Sequence, residues 1–368
     1  MSYLNLTSSP TSKIQFERTN DFMQTLKARV DRYFRMTGQS PRDVPAMYLK
    51  TGIVIAAFVA LYLLLVFAAA TWWQAVLLSV ALGLAVTAVG MNIQHDGGHL
   101  AYSNRRWVNR LMAAWMDVIG VSSFVWARKH QLHHTYPNLD GHDDDIYFGP
   151  VARLSPQQKR RWYHRLQHIY IWPFYTLGIA KFHIDDFVDL ARGTIGEHRL
   201  LRPRGWDLVQ FIAGKVVFFT LALGLPSLFH PFGSVLGCFL LAYATAGVVS
   251  SLVNQLAHLV EETAFPDPDH ETGKIETPWA IHQVETAVGW ARGNRAISWY
   301  VGGLNFQIEH HLFPRVCHVH YPKISRIVEK ACRKAGIRYQ SFPTLWSALR
   351  SHYRWLKEMG SPAGTVAA

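Results

Sequence analysis

The chain is poor in charge, poor in cysteine and poorer in acids than in bases. Asp, Glu, Lys and Arg make up 17% of its 368 residues, against about 25% in soluble domains, a deficit that points to a bilayer. Its three cysteines, Cys238, Cys317 and Cys332, form no CxxC pair, which excludes a disulfide framework, a zinc ribbon and a thiolate cluster. Any metal must then sit on nitrogen or oxygen ligands. The 25 acidic residues against 37 basic give a net charge of +12. The basic residues flank apolar segments instead of interleaving with aromatics along one face, so the pattern fits the positive-inside rule of a membrane protein and not a nucleic-acid partner. The N-terminus lacks an apolar core of signal-peptide type, and the first long apolar run begins only after Lys50, so the start is expected to be cytoplasmic.

What is present in place of charge is apolar length. Between Thr51 and Gln94 there is no Asp, Glu, Lys or Arg, and a single helix over that stretch would be about 66 Å long. A hydrocarbon core of about 30 Å takes about 20 residues. The stretch is therefore expected to cross twice, as helices near 51–70 and 73–94 that turn at Thr71 and the interfacial pair Trp72 and Trp73. A second hairpin is expected over 208–229 and 234–257, with "HPFG" as its turn and Lys215 snorkelling to the near face. The stretch "HIYIWPFYTLGIAKF" is short, holds Pro173 and ends near Lys181, which reads as a re-entrant or interfacial helix. Eight Lys or Arg lie in the first 50 residues and none in the two hairpin turns, placing both termini and the middle segment inside. The expected fold is thus an all-α, four-pass membrane protein. An N-terminal segment (1–50) precedes the first hairpin (51–94), a cytoplasmic segment (95–207), the second hairpin (208–257) and a second cytoplasmic segment (258–368), with 362–368 as a frayed tail.

The 19 histidines are clustered. His95 and His99 in "QHDGGHL" lie on one helical face where the second helix leaves the membrane. Gly97 and Gly98 each cost a helix about 1 kcal/mol relative to alanine, so another backbone or a ligand is expected to come close there. "RKHQLHHTYPN" projects His130, His133 and His134 from one turn, an arrangement a packed core does not require. Asp140, Asp143, Asp144 and Asp145 follow; Asp143 and Asp145, with Asp96 and Glu309 beside other histidines, are candidate acceptors for imidazole N–H groups. In "VNQLAHL", Asn254 and His258 stand four apart at the end of the fourth helix, and "QIEHH" supplies Gln307, His310 and His311. Eight histidines, one Asn and one Gln on one side of a membrane exceed the four ligands of a single zinc site and suit two metal ions with open positions. Iron with O2 is the preferred pairing, since an unactivated C–H bond in a long apolar chain needs an oxidant that side chains do not supply.

In these residues the sequence resembles the integral-membrane fatty acid desaturases, whose histidine boxes HxxxH, HxxHH and QxxHH it carries in order. "DVPAMYLKT", "GVSSFVWARKHQLHHTYPN", "GGLNFQIEHHLFP", "CHVHYP" and "SHYRWLKEMG" extend the likeness to the free-standing bacterial acyl-lipid Δ6-type, or front-end, desaturases over nearly the whole chain. The resemblance implies two iron ions. His95, His134, His258, Gln307 and His311 would hold one, and His99, His130, His133 and His310 the other, with Asn254 holding a water on the second. His318 and His320 match no box and are left as structural or outer residues. It also implies a reaction in which O2 and two external electrons remove one hydrogen from each of two adjacent methylenes of a fatty acyl chain, both oxygen atoms leaving as water. Trp126, Trp290, Trp299 and Tyr300 are candidates for lining the acyl tunnel. No bound haem or nucleotide is expected, because the N-terminal segment is too short for the fused haem domain that many front-end members carry. Electrons would come from a separate ferredoxin or small cytochrome at a basic patch such as "QQKRRWYHR"; anionic membrane lipid competes for that patch. The setting implied is a bacterial inner membrane with the site on the cytoplasmic face.

Three other readings use the same residues. The boxes would also serve an acyl hydroxylase, epoxidase or acetylenase, or a desaturase acting on acyl-CoA or acyl-carrier protein. A membrane zinc hydrolase with Asp96 as base leaves five histidines without a role. A metal or haem carrier would place its ligands near the bilayer midplane, whereas these sit at helix ends and beyond.

Overall fold

The computed structural model describes residues 14–17 and 21–362. Most of the first 20 residues, and the expected tail apart from Pro362, lie outside that range. Four helices are long and apolar enough to cross a membrane: Pro45–Phe67, Trp72–Gly98, Trp206–Ser227 and Phe232–His258. The first starts six residues earlier than the apolar run suggests, because Pro45, which has no N–H to leave unpaired, opens the first turn. At the far end of the first hairpin the Gln74 side chain accepts the backbone N–H groups of Ala70 and Thr71 at 2.9 and 3.1 Å, satisfying donors that begin the second helix. The two turns meet: the His230 ring lies 2.6 Å from the Val66 carbonyl, and Phe67 and Phe229 pack edge to face with centroids 5.1 Å apart. "HPFG" is thus a turn, and it also ties one hairpin to the other.

The second and fourth helices form the centre of the bundle. A Cβ on Gly83 would collide with the Ala242 carbonyl and the Thr245 side chain, so glycine permits the close backbone approach by which membrane helices gain packing without a hydrophobic driving force. The segment expected to be re-entrant forms a helix over Gln167–Phe174, a tight turn over Tyr175–Leu177 and a helix over Gly178–Arg192. It is not among the four candidate spans. It rests on the fourth helix, where the Ser251 hydroxyl donates to the Tyr175 carbonyl at 3.3 Å and Gly247 leaves room for the Thr176 carbonyl.

Lys215 does not snorkel. It is 9% exposed, donates to the Gly120 carbonyl at 2.6 Å and is paired with Asp186 on the Gly178–Arg192 helix. The partner is remote in sequence, and an available carboxylate removes the reason for the ammonium to reach the headgroups.

Outside the bundle, helix Asp21–Thr37 presents Leu26, Val30 and Phe34 at a spacing of four to Ile324 and Val328 of helix Tyr321–Lys334. Phe306, Ile308 and Leu312 join the same core, each such buried side chain contributing roughly 1.5–3 kcal/mol. The short helix Gln307–Leu312 is therefore gripped on its apolar side. Three two-stranded pairings finish the described residues: Gln15–Glu17 with Lys274–Pro278 and Gly289–Trp290 with Ser341–Phe342, both parallel, and Thr194–Ile195 with His198–Arg199, antiparallel.

Candidate metal centre

His95 is presented by a change of helical period. The second membrane helix passes through a π-helical turn, Val89–Gln94, immediately before His95. Asn92 supports the turn, its amide donating at 2.8 Å to both the Ala88 and the Tyr300 carbonyls; such turns often occur at functional sites. The paired glycines after it do mark a close approach. A Cβ on Gly97 would stand 2.6 Å from the Ala113 nitrogen, and one on Gly98 2.6 Å from the Trp126 ring.

The second box lies on helix Ser123–Thr135, which Ser122 caps by accepting the Val125 N–H at 3.3 Å. Lys129 anchors it. Its ammonium, 5% exposed, lies 2.7, 2.5 and 3.1 Å from carboxylate oxygens of Asp144, Asp185 and Asp189. The third box is the Gln307–Leu312 helix, and His258 ends the fourth membrane helix.

These four elements bring all eight box histidines and Gln307 together in two groups. In the first, His130 Nε2 lies 3.1 Å from His95 Nε2, 2.8 Å from His99 Nε2 and 3.2 Å from His134 Nε2. His310 offers a nitrogen to the same group. In the second, His133, His258 and His311 each offer a nitrogen, all within 4.8 Å of one another, and the Gln307 amide nitrogen lies 3.0 Å from His258 Nε2 and 3.3 Å from His311 Nε2, where it can donate to either ring. The grouping differs from that implied by the resemblance: His95 and His134 fall with His99, His130 and His310, and His133 falls with His258 and His311. The reason is helical phase. His130 and His134 are four apart and share a face, whereas His133 is turned toward the end of the fourth helix, its ring 4.6 Å from that of His258.

The donor set fits metal ions. Burial, aided by neighbouring imidazoles, holds His99, His130, His134, His310 and His311 well below the usual imidazole pKa, so the rings are neutral and carry lone pairs. Neutral imidazole has one donor and one acceptor, and His310 Nε2 is buried with no hydrogen-bond partner. A cation is what such converging lone pairs bind. Outer partners fix the ring faces: the Thr286 carbonyl accepts from His258 Nδ1 at 2.9 Å, leaving Nε2 to face inward, and His311 Nδ1 lies 2.8 Å from the Gln283 amide. His310 Nδ1 lies 3.3 Å from the Tyr321 hydroxyl.

Among the expected carboxylate partners, Asp143 and Asp145 are in place. Asp143 accepts from His133 Nδ1 at 3.0 Å and Asp145 stands at 3.6 Å. Burial alone would lower the His133 pKa, but these two carboxylates outweigh it and lift it to about 9. Asp143→Asn is expected to lower turnover about 10- to 100-fold, measured per bound metal ion; wild-type turnover would mean that Asp143 only shapes its own loop. Of the other two, Asp96 also meets an imidazole, though one outside the boxes, and Glu309 meets a phenol. Asp96 accepts from His318 Nδ1 at 2.9 Å, and Glu309 accepts from the Tyr339 hydroxyl at 2.8 Å, because helical geometry turns a residue adjacent to a ligand about 100° away from it. His318, without a box of its own, thus holds Asp96.

A cavity of about 200 Å³ runs alongside both groups. Val86, Met116, Ile119 and Phe182 form its apolar walls, and His95, His130, His133, Gln307 and Asn254 also line it. Of the four aromatics expected there, Trp126 lines it and stacks on His130 with centroids 4.4 Å apart. Trp290 is buried in a separate core, Trp299 lies over the Lys50 ammonium, and the Tyr300 hydroxyl bonds Thr87 at 2.7 Å. Nearness in sequence to a box does not decide which way an aromatic points.

A bilayer-spanning bundle that gathers two imidazole clusters at one end, beside an apolar cavity, defines an integral-membrane protein with a buried metal site. The chain belongs to the fatty acid desaturase family, whose model, Fatty acid desaturase, matches residues 70–343, and it is an oxidoreductase of that kind. It is 41% identical to an sn-1 linoleoyl-lipid 6-desaturase of Arthrospira platensis, over 96% of each chain. It is 36% identical to a protein of the same description from Synechocystis sp., over 95% of this chain and 98% of the relative. An acyl-lipid (8-3)-desaturase of Physcomitrium patens is 37% identical over 92% of this chain and 72% of its own.

Proposed function

We propose that this protein introduces a cis double bond at the Δ6 position of a C18 or polyunsaturated acyl chain carried on a membrane lipid. The reading also comprises two iron ions, O2 as co-substrate, a separate ferredoxin or small cytochrome as electron donor, and a bacterial inner membrane with the site on the cytoplasmic face. The observation that carries it is the apolar cavity beside two imidazole groups; the relatives' substrate and regiochemistry support the finer statement.

His95, His99, His130, His134 and His310 would hold one ion, and His133, His258 and His311 with the Gln307 amide the other. Asn254, on the cavity wall, would hold a water. Iron, when bound, supplies the activation of O2 that an unactivated methylene requires. The protein's own groups do the rest. The apolar walls hold the chain extended past the imidazoles, and a displacement of about 1 Å there would cost rate or change the product. Trp126 covers the His130 ring and helps exclude water. With its amide turned so that the oxygen faces inward, Gln307 would offer a weaker neutral ligand where a ninth histidine would fit.

The test is expression in a host that supplies linoleate and ferredoxin, followed by double-bond location in intact lipids and released acids. A new double bond at carbon 6, found on glycerolipid, is expected. A hydroxylated or acetylenic product without the alkene would overturn the reaction, and product confined to a thioester pool would overturn the carrier.

A further inference from the structure

We propose that a second site, away from the imidazole groups, binds the phosphate of an anionic membrane lipid. It is a cavity of about 680 Å³ whose wall holds four cations, Lys50, Arg292, Arg295 and Arg326, against one carboxylate, Glu329. Glu329 is already engaged by Arg292 at 3.4 Å and by Arg333 at 3.5 Å. Arg292 is further fixed by the Ser341 and Tyr339 hydroxyls, both at 2.8 Å. Among the described residues no ion pair engages Arg295 or Arg326, and both side chains are exposed at the rim.

Lys50 is the informative residue. It is 5% exposed, yet among the described residues its ammonium meets no carboxylate: it donates to His318 Nε2 at 2.9 Å and lies 5.0 Å from the centroid of the Trp299 ring. Asp96 is reached only through the far side of that imidazole. An ammonium withdrawn from water calls for a counter-charge, and the open cavity beside it is where one can enter.

Position selects a lipid. Lys50 lies in the second turn of the first membrane helix, on its buried side with Met47, Thr51 and Val54, about 60–100° round the helix from Leu49 and Ile53, which are 68% and 50% exposed. Trp299, 46% exposed at the cavity rim, is the kind of residue that settles at the headgroup level. A lipid whose tails lie along Leu49 and Ile53 would present its phosphate to the cavity, as basic pockets at the ends of membrane helices do for anionic headgroups. The cavity is concave and lies beside the first two turns of a membrane-length helix, which suits a headgroup better than the convex surface of an acidic protein.

The inference does not depend on the reaction, and its test reads binding. The full-length protein in neutral detergent is titrated with short-chain phosphatidylglycerol, phosphatidylcholine or inorganic phosphate, and bound ligand is followed by native mass spectrometry and thermal midpoint. Phosphatidylglycerol is expected to bind at least about tenfold more tightly than the other two, and Arg295→Gln with Arg326→Gln to remove about tenfold of that affinity. Both substitutions are at the exposed rim, so the double variant is expected to fold, and an unchanged midpoint without ligand checks this. Equal binding of phosphatidylcholine, or an unaffected double variant, would overturn the site. Equally tight inorganic phosphate would assign it to a soluble anion instead. A raised KM for a reduced ferredoxin with lipid binding unchanged would assign the face to an acidic protein partner.

Discussion

His130→Ala is expected to reduce conversion by more than about 100-fold while the protein still inserts in the membrane at the wild-type level. Loss of an outer partner of a metal ligand costs about 10- to 100-fold, and His130 is itself central to its group: three other Nε2 atoms lie within 3.2 Å of its own. The substitution also relieves crowding among neutral, buried imidazoles, so the metal-free variant should be no less stable than the metal-free wild type apart from the lost stacking on Trp126. The metal-dependent increment should disappear. An ion that binds only the folded state at a hundred times its Kd adds about 2.7 kcal/mol, and thermal unfolding with and without iron measures that difference for both proteins. Retained turnover, or an unchanged iron-dependent increment, would contradict the role given to the first imidazole group.

The second large effect is expected at Lys129, which binds no metal in this reading. Lys129→Met removes the one cation shared by Asp144, Asp185 and Asp189. Removing one partner of a buried ionic cluster costs about 3–5 kcal/mol, because the opposite charges remain buried and uncompensated. Lys181, at 3.2 Å from Asp144 and 2.6 Å from Asp185, compensates in part. Burial would lower the Lys129 pKa, but Asp144 and then Asp185 outweigh it and raise it above the usual lysine value. For Asp144, burial would raise the pKa, but Lys181 and Lys129 hold it below the usual carboxylate value. The stabilisation from Lys129 is therefore complete below about pH 10.4, and that from Asp144 above about pH 3.9; burial instead raises the Asp189 pKa, so its carboxylate takes up a proton at higher pH than Asp144 does. In Lys129→Met the carboxylates lose their counter-charge and their pKa values rise, so the deficit against wild type should shrink as pH falls from 7 towards 5. Unfolding midpoints over that range provide the check, and a pH-independent deficit would mean that lost packing dominates. Since Asp143 and Asp145 flank Asp144, the variant should also loosen His133 and lower turnover.

The same residues mark what was legible in the sequence. The four spans were, because an apolar run of bilayer length has few alternatives; the start of the first was not, since Pro45 extends that helix into a stretch of mixed polarity. The box histidines were legible as a set because spacings of three and four place side chains on one side of a helix. Their division into two groups was not, because it depends on how helix Ser123–Thr135 is rotated against the ends of the second and fourth membrane helices. Lys215 looked like a snorkelling lysine until Asp186, from another helix, came beside it. Trp290, Trp299 and Tyr300 looked like tunnel residues for their nearness to a box, and only Trp126 is one whose ring reaches the cavity.

The sequence by itself therefore determined the chemistry available: a four-span bundle, with eight imidazoles and one glutamine amide at helix ends on one side. Hydrophobic length and helical period are local properties, and they are written into consecutive residues. Which imidazoles converge, which carboxylates hold them, where the apolar cavity runs and why Lys50 faces an open basic cavity were decided only by tertiary structure. Each of these rests on contacts between segments up to 268 residues apart, as Lys50 and His318 are. Such contacts follow from the packing of whole helices, to which no short stretch of sequence holds the key.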